Sequence, residues 1–89
     1  MIEVGKLYRV RGTIPVRTDN GYLMAAYAYQ PRFSFHQKDT LANPQPLVKN
    51  ETIVLVVDIP KEPFLKQGGV HVLLEDKVHY MLVFNLVAL

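Results

Sequence analysis

The sequence predicts an all-β domain, a small barrel or rolled sheet of five or six antiparallel strands. Apolar and polar residues alternate with a period of two through much of the chain, which is the pattern of strands that bury one face. Short polar breaks, such as "DNG" and "EDK", separate these segments as tight turns separate strands. The 89 residues are enough for a single domain, and no internal repeat is visible.

The first element in chain order is a strand within "GKLYRVRGTIPV". Its alternation places Tyr8 and Val10 inward and Arg9 and Arg11 outward. Pro15 has no backbone N–H, so we expect it at a sheet edge or a bend.

The next segment, "YLMAAYAYQ", is compatible with two elements. Its three alanines favour a helix. The neighbouring strand patterns favour a strand, as does Pro31, which would end a helix at once. We predict a strand, with Tyr27 and Tyr29 on one face.

The segment "ETIVLVVDI" is dense in β-branched residues and predicts a further strand. Its odd positions are purely apolar and are predicted to face the core. These inward positions are Ile53, Leu55, Val57 and Ile59. Loops are expected on either side of the strand, at 37–50 and 60–69.

The C-terminal segment "VHVLLEDKVHYMLVF" predicts a hairpin that turns at Glu75–Lys77. We expect its even-numbered residues to face the core and its odd-numbered residues to face solvent. The even set comprises Val72, Leu74, Val78, Tyr80, Leu82 and Phe84. The odd set includes His71, Leu73, His79, Met81 and Val83.

Composition excludes several classes of function. The chain has no cysteine, so it has no disulfide, thiol nucleophile or thiolate metal site. No apolar run approaches the roughly 20 residues of a membrane helix, and the N-terminus lacks the pattern of a signal peptide. These features predict a soluble, cytoplasmic protein. The net charge is +2, with basic residues in excess in the first half of the chain, which favours a local basic surface over a basic arm.

Three segments resemble those of SH3-like small barrels: the opening "GKLYRV", the central "TIVLVVDI" and the closing "HYMLVFNLVAL". The stretch "AAYAYQPRFSFHQKD" is also similar to the tyrosine-bearing segment of SH3 domains. The chain departs from that family in having no tryptophan and no acidic cluster after the tyrosines. The resemblance implies a barrel rather than proline-rich peptide binding. Small basic proteins of this pattern are also similar to accessory proteins of bacteriophages.

Groups that could support catalysis are sparse. Ser34 and His36 precede Asp39, but residues two apart on a strand lie about 6–7 Å apart, too far for a nucleophile and its base. His71 and His79 are predicted on one face of the hairpin, although their spacing matches no metal signature. We therefore expect a protein that is not an enzyme and that uses no metal or cofactor.

The aromatic stretch at 25–36 supports three hypotheses. Its rings could fill the core, as aromatic side chains commonly do in small domains. Tyr27, Tyr29 and Arg32 could instead contact a protein, since Tyr and Arg are enriched at interfaces. In the third hypothesis the tyrosines stack on nucleic-acid bases. The phosphates would then be met by Arg9, Arg11, Arg32 and Lys38.

The outward face of the hairpin decides between the partners. Leu73, Met81 and Val83 are predicted on this face beside His71 and His79, and an exposed apolar patch usually marks a contact surface. Aliphatic side chains suit a protein better than a nucleic acid. The primary hypothesis is therefore a module that binds another protein or a second copy of itself, and the alternative is a nucleic-acid-binding small barrel.

Overall fold

The computed structural model describes residues 2–29, 46–60 and 68–89, and within them the fold is all-β. The strands are β1 Leu7–Val10, β2 Ile14–Thr18, β3 Gly21–Tyr27, β4 Leu47–Lys49, β5 Ile53–Asp58, β6 Gly69–Leu74, β7 Lys77–Leu82 and β8 Leu86–Ala88. A single turn of 3-10 helix, Val83–Asn85, links β7 to β8.

These strands form two antiparallel sheets and do not close into a barrel. A five-stranded sheet has the order β7-β6-β5-β1-β8, and a three-stranded sheet has the order β2-β3-β4. The prediction of an all-β fold is confirmed. The finer expectation of a single barrel of five or six strands is not confirmed, because the described part of the chain contains eight strands in two sheets. Two of the additional strands arise because the opening segment divides into β1 and β2, and because β4 lies within the expected loop 37–50.

The opening segment divides where the chain passes from one sheet to the other. Arg11 donates its N–H to the backbone carbonyl of Asn85 at 2.7 Å, and the buried Asn85 side chain donates to the Arg11 carbonyl at 3.0 Å. Gly12 donates its N–H to Oδ1 of Asn50. Gly12 crosses so close to Ala25 that a β-carbon there would overlap the Ala25 backbone. Asn85 thus satisfies both the backbone N–H and the backbone carbonyl of Arg11. Only glycine can occupy position 12, where the chain crosses β3.

Two predictions about strands are confirmed. The segment 22–30, for which helix and strand were both considered, contains most of β3. Pro15 lies in β2, an edge strand of the three-stranded sheet, where its missing N–H breaks no ladder.

The inner face of the five-stranded sheet packs against the three-stranded sheet. Tyr8 and Val10 face inward as predicted. In β5, however, the even-numbered residues face the core instead of the predicted odd-numbered ones, and Val54 and Val56 are buried. Ile53 is 46% exposed, and Leu55 and Val57 are only half-buried. The alternation could not decide the face because β5 is apolar on both sides. Pairing with β1 decides it, since Val54 lies opposite Tyr8. The core comprises Tyr8, Val10, Ala26, Ala28, Val48, Val54, Val56, Val70, Val72, Met81 and Leu86.

The hairpin β6–β7 also has a different pairing from the expected one. Leu74 lies opposite Lys77, so the turn consists of Glu75 and Asp76 alone. A two-residue turn pairs even-numbered positions with odd-numbered ones, and residues paired directly share a face. The even positions of β6 therefore share a face with the odd positions of β7.

This pairing overturns part of the predicted core. Met81, expected on the solvent face, is fully buried in the core and lies opposite Val70. Val78 and Phe84, expected in the core, are 41% and 64% exposed. Phe84 lies in the 3-10 turn, where the alternation of the strand ends. Tyr80 is buried as predicted, but on the other face of the sheet. Two further predicted core residues, Leu74 and Leu82, are half-buried.

The burial of Met81 gives a test of this pairing. Truncation of a fully buried Met81 to alanine should lower the free energy of unfolding by about 2–5 kcal/mol. Leu73→Ala removes a side chain that is 36% exposed on the opposite face, and should cost under about 1 kcal/mol. Urea denaturation measures both values. Equal losses, or a larger loss for Leu73→Ala, would contradict the pairing.

The turn gives a second test. Glu75 and Asp76 have φ angles of 50° and 65°, the left-handed region that a two-residue turn of type I′ requires and that Asn-Gly adopts at least cost. The double variant Glu75→Asn, Asp76→Gly should therefore raise the free energy of unfolding by about 1 kcal/mol. Asp76→Ala is the control, because it removes the carboxylate but leaves a non-glycine residue in the left-handed backbone region at position 76. A similar gain in the control would assign the effect to charge instead.

Candidate protein-interaction surface

The outer face of the five-stranded sheet, turned away from the core, carries a continuous line of aliphatic side chains. Val78 pairs with Leu73, Leu73 with Leu55, and Leu55 with Leu7, so that one side chain from each of four adjacent strands lies in line. We call these four residues the aliphatic row. Leu7, Leu73 and Val78 are 50%, 36% and 41% exposed. Side chains paired across strands contact one another, so the row is one apolar surface.

A basic residue borders one side of the aliphatic row. Arg9 lies between Ile53 on β5 and Val87 on β8. Its guanidinium forms an ion pair with Glu51 at 3.3 Å, and both side chains are well exposed. Exposed pairs contribute little to stability, so Arg9 is held weakly and remains able to meet another acidic group.

An acidic residue borders the other side of the row. Asp58 pairs with His71 in the sheet, and its Oδ2 lies 3.2 Å from Nδ1 of that histidine. Asp58 is 63% exposed, whereas the His71 side chain is only 14% exposed. The Nε2 atom of His71 is buried without a hydrogen-bond partner. Asp58 therefore fixes the histidine ring and still presents its carboxylate to solvent.

Aromatic rings continue the line of Asp58 and His71 across the sheet. Tyr80 is buried, with its ring centre 6.0 Å from His71 and 6.5 Å from Tyr29. Tyr29 pairs with Tyr80 through two backbone hydrogen bonds of 2.8 Å, and this bridge joins the end of the β3 segment to β7. Tyr27 lies 5.9 Å from Tyr29 and is 39% exposed. A β-carbon on Gly69 would overlap the Tyr80 ring, so glycine is required beneath it.

Burial changes the acidity of two of these tyrosines. It raises the pKa of Tyr80 above its usual value, and the N–H of Gly69, which donates to the phenol oxygen, opposes this shift. Burial also raises the pKa of Tyr29, with a further contribution from the nearby Tyr27. The two phenols therefore keep their protons to a higher pH than an exposed tyrosine does.

The outer face holds only part of the sequence-predicted protein-binding set. Leu73 and Tyr27 are exposed, and His71 and Tyr29 are half-buried beside the aliphatic row or the aromatic line. Met81 and Val83 pack on the core instead, which corrects the expected patch. His79 pairs with Val72 and His71 with Tyr80, so the two histidines lie on opposite faces rather than on one. Arg32 lies outside the described residues.

Sequence reasoning missed Leu7, Leu55 and Val78, which make up most of the row. The available signal was that β5 is apolar at every position from Ile53 to Val57, and a strand of that kind has apolar contacts on both faces.

The residues predicted for nucleic-acid binding are only partly described. Arg9 lies in β1 and contacts Glu51, and Arg11 follows the end of β1 and is exposed. Lys38 lies outside the described residues, as does Arg32. No group of three histidine or acidic side chains that could hold a metal occurs within 2–29, 46–60 and 68–89. Ser34, His36 and Asp39, considered as a catalytic group, fall outside these ranges.

The β2–β3 hairpin forms a second exposed region. It turns at Asp19–Asn20, as the sequence predicts, and Thr18 accepts a hydrogen bond from the Asn20 N–H at 3.3 Å. Tyr22 and Leu23 are 72% and 39% exposed near its tip. These apolar groups are distributed over both faces of a two-stranded ribbon, so they form no continuous row.

Comparisons with known proteins identify no relative: no family model matches the chain, and neither a curated protein nor a solved structure matches it. Where the chain is described, it contains no helix long and apolar enough to cross a membrane.

The raised pKa of Tyr80 predicts how stability changes at alkaline pH. An unfolded tyrosine loses its proton near pH 10, whereas the folded state holds it to higher pH. The stabilisation is therefore complete below about pH 10 and is lost as the pH rises through the folded pKa. Tyr80→Phe should show a smaller fall in the free energy of unfolding above pH 10 than the wild-type protein does.

Urea denaturation at a series of alkaline pH values measures this fall. Tyr22→Phe, at an exposed tyrosine, is the control and should behave as the wild type. An unchanged fall in Tyr80→Phe would contradict the assignment to Tyr80.

Proposed function

We propose that the protein is a non-enzymatic binding module that contacts another protein through the outer face of its five-stranded sheet. The observation that carries this proposal is the exposed aliphatic row. Four aliphatic side chains in contact across four strands form a larger apolar surface than isolated exposed leucines, which are ordinary on protein surfaces. Such a surface is typical of sites that another protein covers.

The surroundings of the row support a protein partner. Interfaces combine an apolar centre with a polar rim, and here Arg9 and Asp58 lie at the borders of the apolar line. The partly exposed Tyr27 adds an aromatic group near the same face. Tyrosine and arginine are residue types that frequently dominate binding energy.

Nucleic acid is favoured less by the same features. Phosphate binding depends on several cations that are free to replace counterions. A single cation such as Arg9 at the border of the aliphatic row does not supply several phosphate contacts, and the row itself offers neither a hydrogen-bond donor nor an aromatic ring for a base. Nucleic-acid binding therefore serves as an alternative outcome of the experiment below.

We also propose that the five-stranded sheet is related to the SH3-like fold. The three segments that resemble this family supply β1, β5, β7 and β8, and β1 lies between β5 and β8. The 3-10 turn at Val83–Asn85 precedes the last strand, where the resemblance implies a short turn. In this proposal the three-stranded sheet is an insertion between β1 and β5.

Capture experiments with matched variants test the function. Leu73→Lys places a charge in the middle of the aliphatic row, whereas Leu23→Lys makes the same change at a similarly exposed leucine of the β2–β3 hairpin. We expect protein captured from the source cell by the wild type and by Leu23→Lys to be lost with Leu73→Lys. The melting temperatures of both variants should stay close to that of the wild type.

Nuclease treatment of the same samples separates the two partner classes. Capture that disappears on treatment would support nucleic acid and contradict a protein partner. Equal capture by Leu73→Lys and by the wild type would contradict the assignment to this face.

A further inference from the structure

We infer that the partner of the aliphatic row is a second copy of this chain, packed sheet on sheet about a two-fold axis that runs along the row. This inference rests on the proposed function, because it names the occupant of the same face. It is carried by the composition of the row and by the arrangement of charges on either side of it.

The composition of the row suits a flat apolar partner. Its side chains are Leu7, Leu55, Leu73 and Val78, all aliphatic and each projecting from a different strand of one sheet. Two sheets pack face to face through such side chains, about 10 Å apart, in β-sandwiches. A peptide ligand would instead need pockets or an open strand edge to receive it. The face that most resembles this one in chemistry is the same face of another copy.

The charges select the direction of the axis. Turning a face over about a line within it exchanges the two sides of that line. An axis along the aliphatic row therefore places the Arg9 side of each copy over the Asp58 side of the other. An axis along the strands would place the Arg9 side over the Arg9 side and the Asp58 side over the Asp58 side. Of these two arrangements, the first is the one that brings Arg9 of each copy to Asp58 of the other.

This arrangement forms two equivalent contacts, as an isologous dimer requires. Arg9 of each copy approaches Asp58 of the other, and their strands, β1 and β5, are neighbours in the sheet, about 4.8 Å apart. Glu51 stays beside Arg9, and His71 stays beside Asp58, so each contact joins four polar groups. The Glu51 carboxylate of one copy and the Asp58 carboxylate of the other thus share the Arg9 cation in the dimer.

The extent of the face sets the strength of the dimer. The row crosses three intervals between strands, about 14 Å, and its two borders lie roughly 13 Å apart along the strands. A stable interface commonly covers about 800 Å² per partner, which is more than this face supplies. We therefore expect a weak, concentration-dependent dimer, with a dissociation constant in the micromolar range or above.

Sedimentation equilibrium over a wide range of protein concentration tests the inference. The wild type should pass from monomer to dimer as its concentration rises. Leu73→Lys should weaken the dimer at least about tenfold, because it would bury a charge against the aliphatic row of the other copy. Leu23→Lys should leave it unchanged. A monomer at every concentration, or a dimer that is equally strong in Leu73→Lys, would overturn the inference.

A charge exchange tests the axis. Arg9→Asp and Asp58→Arg should each weaken the dimer severalfold, and the double variant should recover most of the loss, because the opposite charges again face one another. Arg17→Asp, which makes the same charge change on the exposed surface of β2, should have little effect. Melting temperatures confirm that each variant is folded. Failure of the double variant to recover, with its fold intact, would overturn this arrangement.

The two proposals fail in different ways. If the wild type stays monomeric while capture of another protein still depends on Leu73, the second copy is wrong and the proposed function stands. If both the dimer and capture are indifferent to Leu73→Lys, the face has no such function.

Discussion

The passage of the chain from β1 to β2 is the constraint on which both sheets depend. At this point the backbone must leave one ladder, cross another strand and begin a new ladder without leaving buried polar groups unpaired. Asn85 pairs with both backbone groups of Arg11, Asn50 accepts from Gly12, and the absence of a side chain at Gly12 lets it lie on the backbone of Ala25. Because Asn50 directly follows β4 in the turn to β5, and Asn85 directly precedes β8, one crossing fixes the ends of both sheets.

This crossing determines which side of the five-stranded sheet the chain covers itself. The three-stranded sheet is held against the inner face, where Ala26, Ala28 and Val48 complete the core. Two of these three are alanines, so the core is filled mainly by valines of the larger sheet. On the outer face, the rings of Tyr80 and Tyr29 pack on one side of the sheet. The aliphatic row beside them remains exposed, which is why the candidate site follows directly from the topology.

The sequence predicts which segments are strands better than it predicts which face each strand buries. Tyr8 and Val10 alternate with Arg9 and Arg11, so the inward positions of β1 follow from the sequence alone. Every position from Ile53 to Val57 is apolar, and only pairing with Tyr8 shows that Val54 and Val56 face the core. In the last hairpin, the even and odd sets could be assigned to faces only with the turn length known. With a three-residue turn at Glu75–Lys77, even-numbered residues of both strands would share one face. The observed two-residue turn instead places the even-numbered residues of β6 on the same face as the odd-numbered residues of β7. This single error placed Met81 on the outer face and Val78 in the core, so the predicted contact surface contained Met81 and lacked Val78.

The same ambiguity in β5 has a functional meaning. Strands with apolar residues at consecutive positions are typical of sheets covered on both faces, whereas a sheet with one wet face usually places polar residues there. In β5 the inner positions are covered by the chain itself, but Ile53 on the outer face is nearly half exposed, and three residues of the aliphatic row, Leu7, Leu73 and Val78, are similarly exposed. Within residues 2–29, 46–60 and 68–89, this sheet has the composition of a sheet covered on both faces but is covered on one, so a second layer would complete it. A second copy supplies such a layer of matching chemistry, and the Arg9 and Asp58 borders allow it in one orientation.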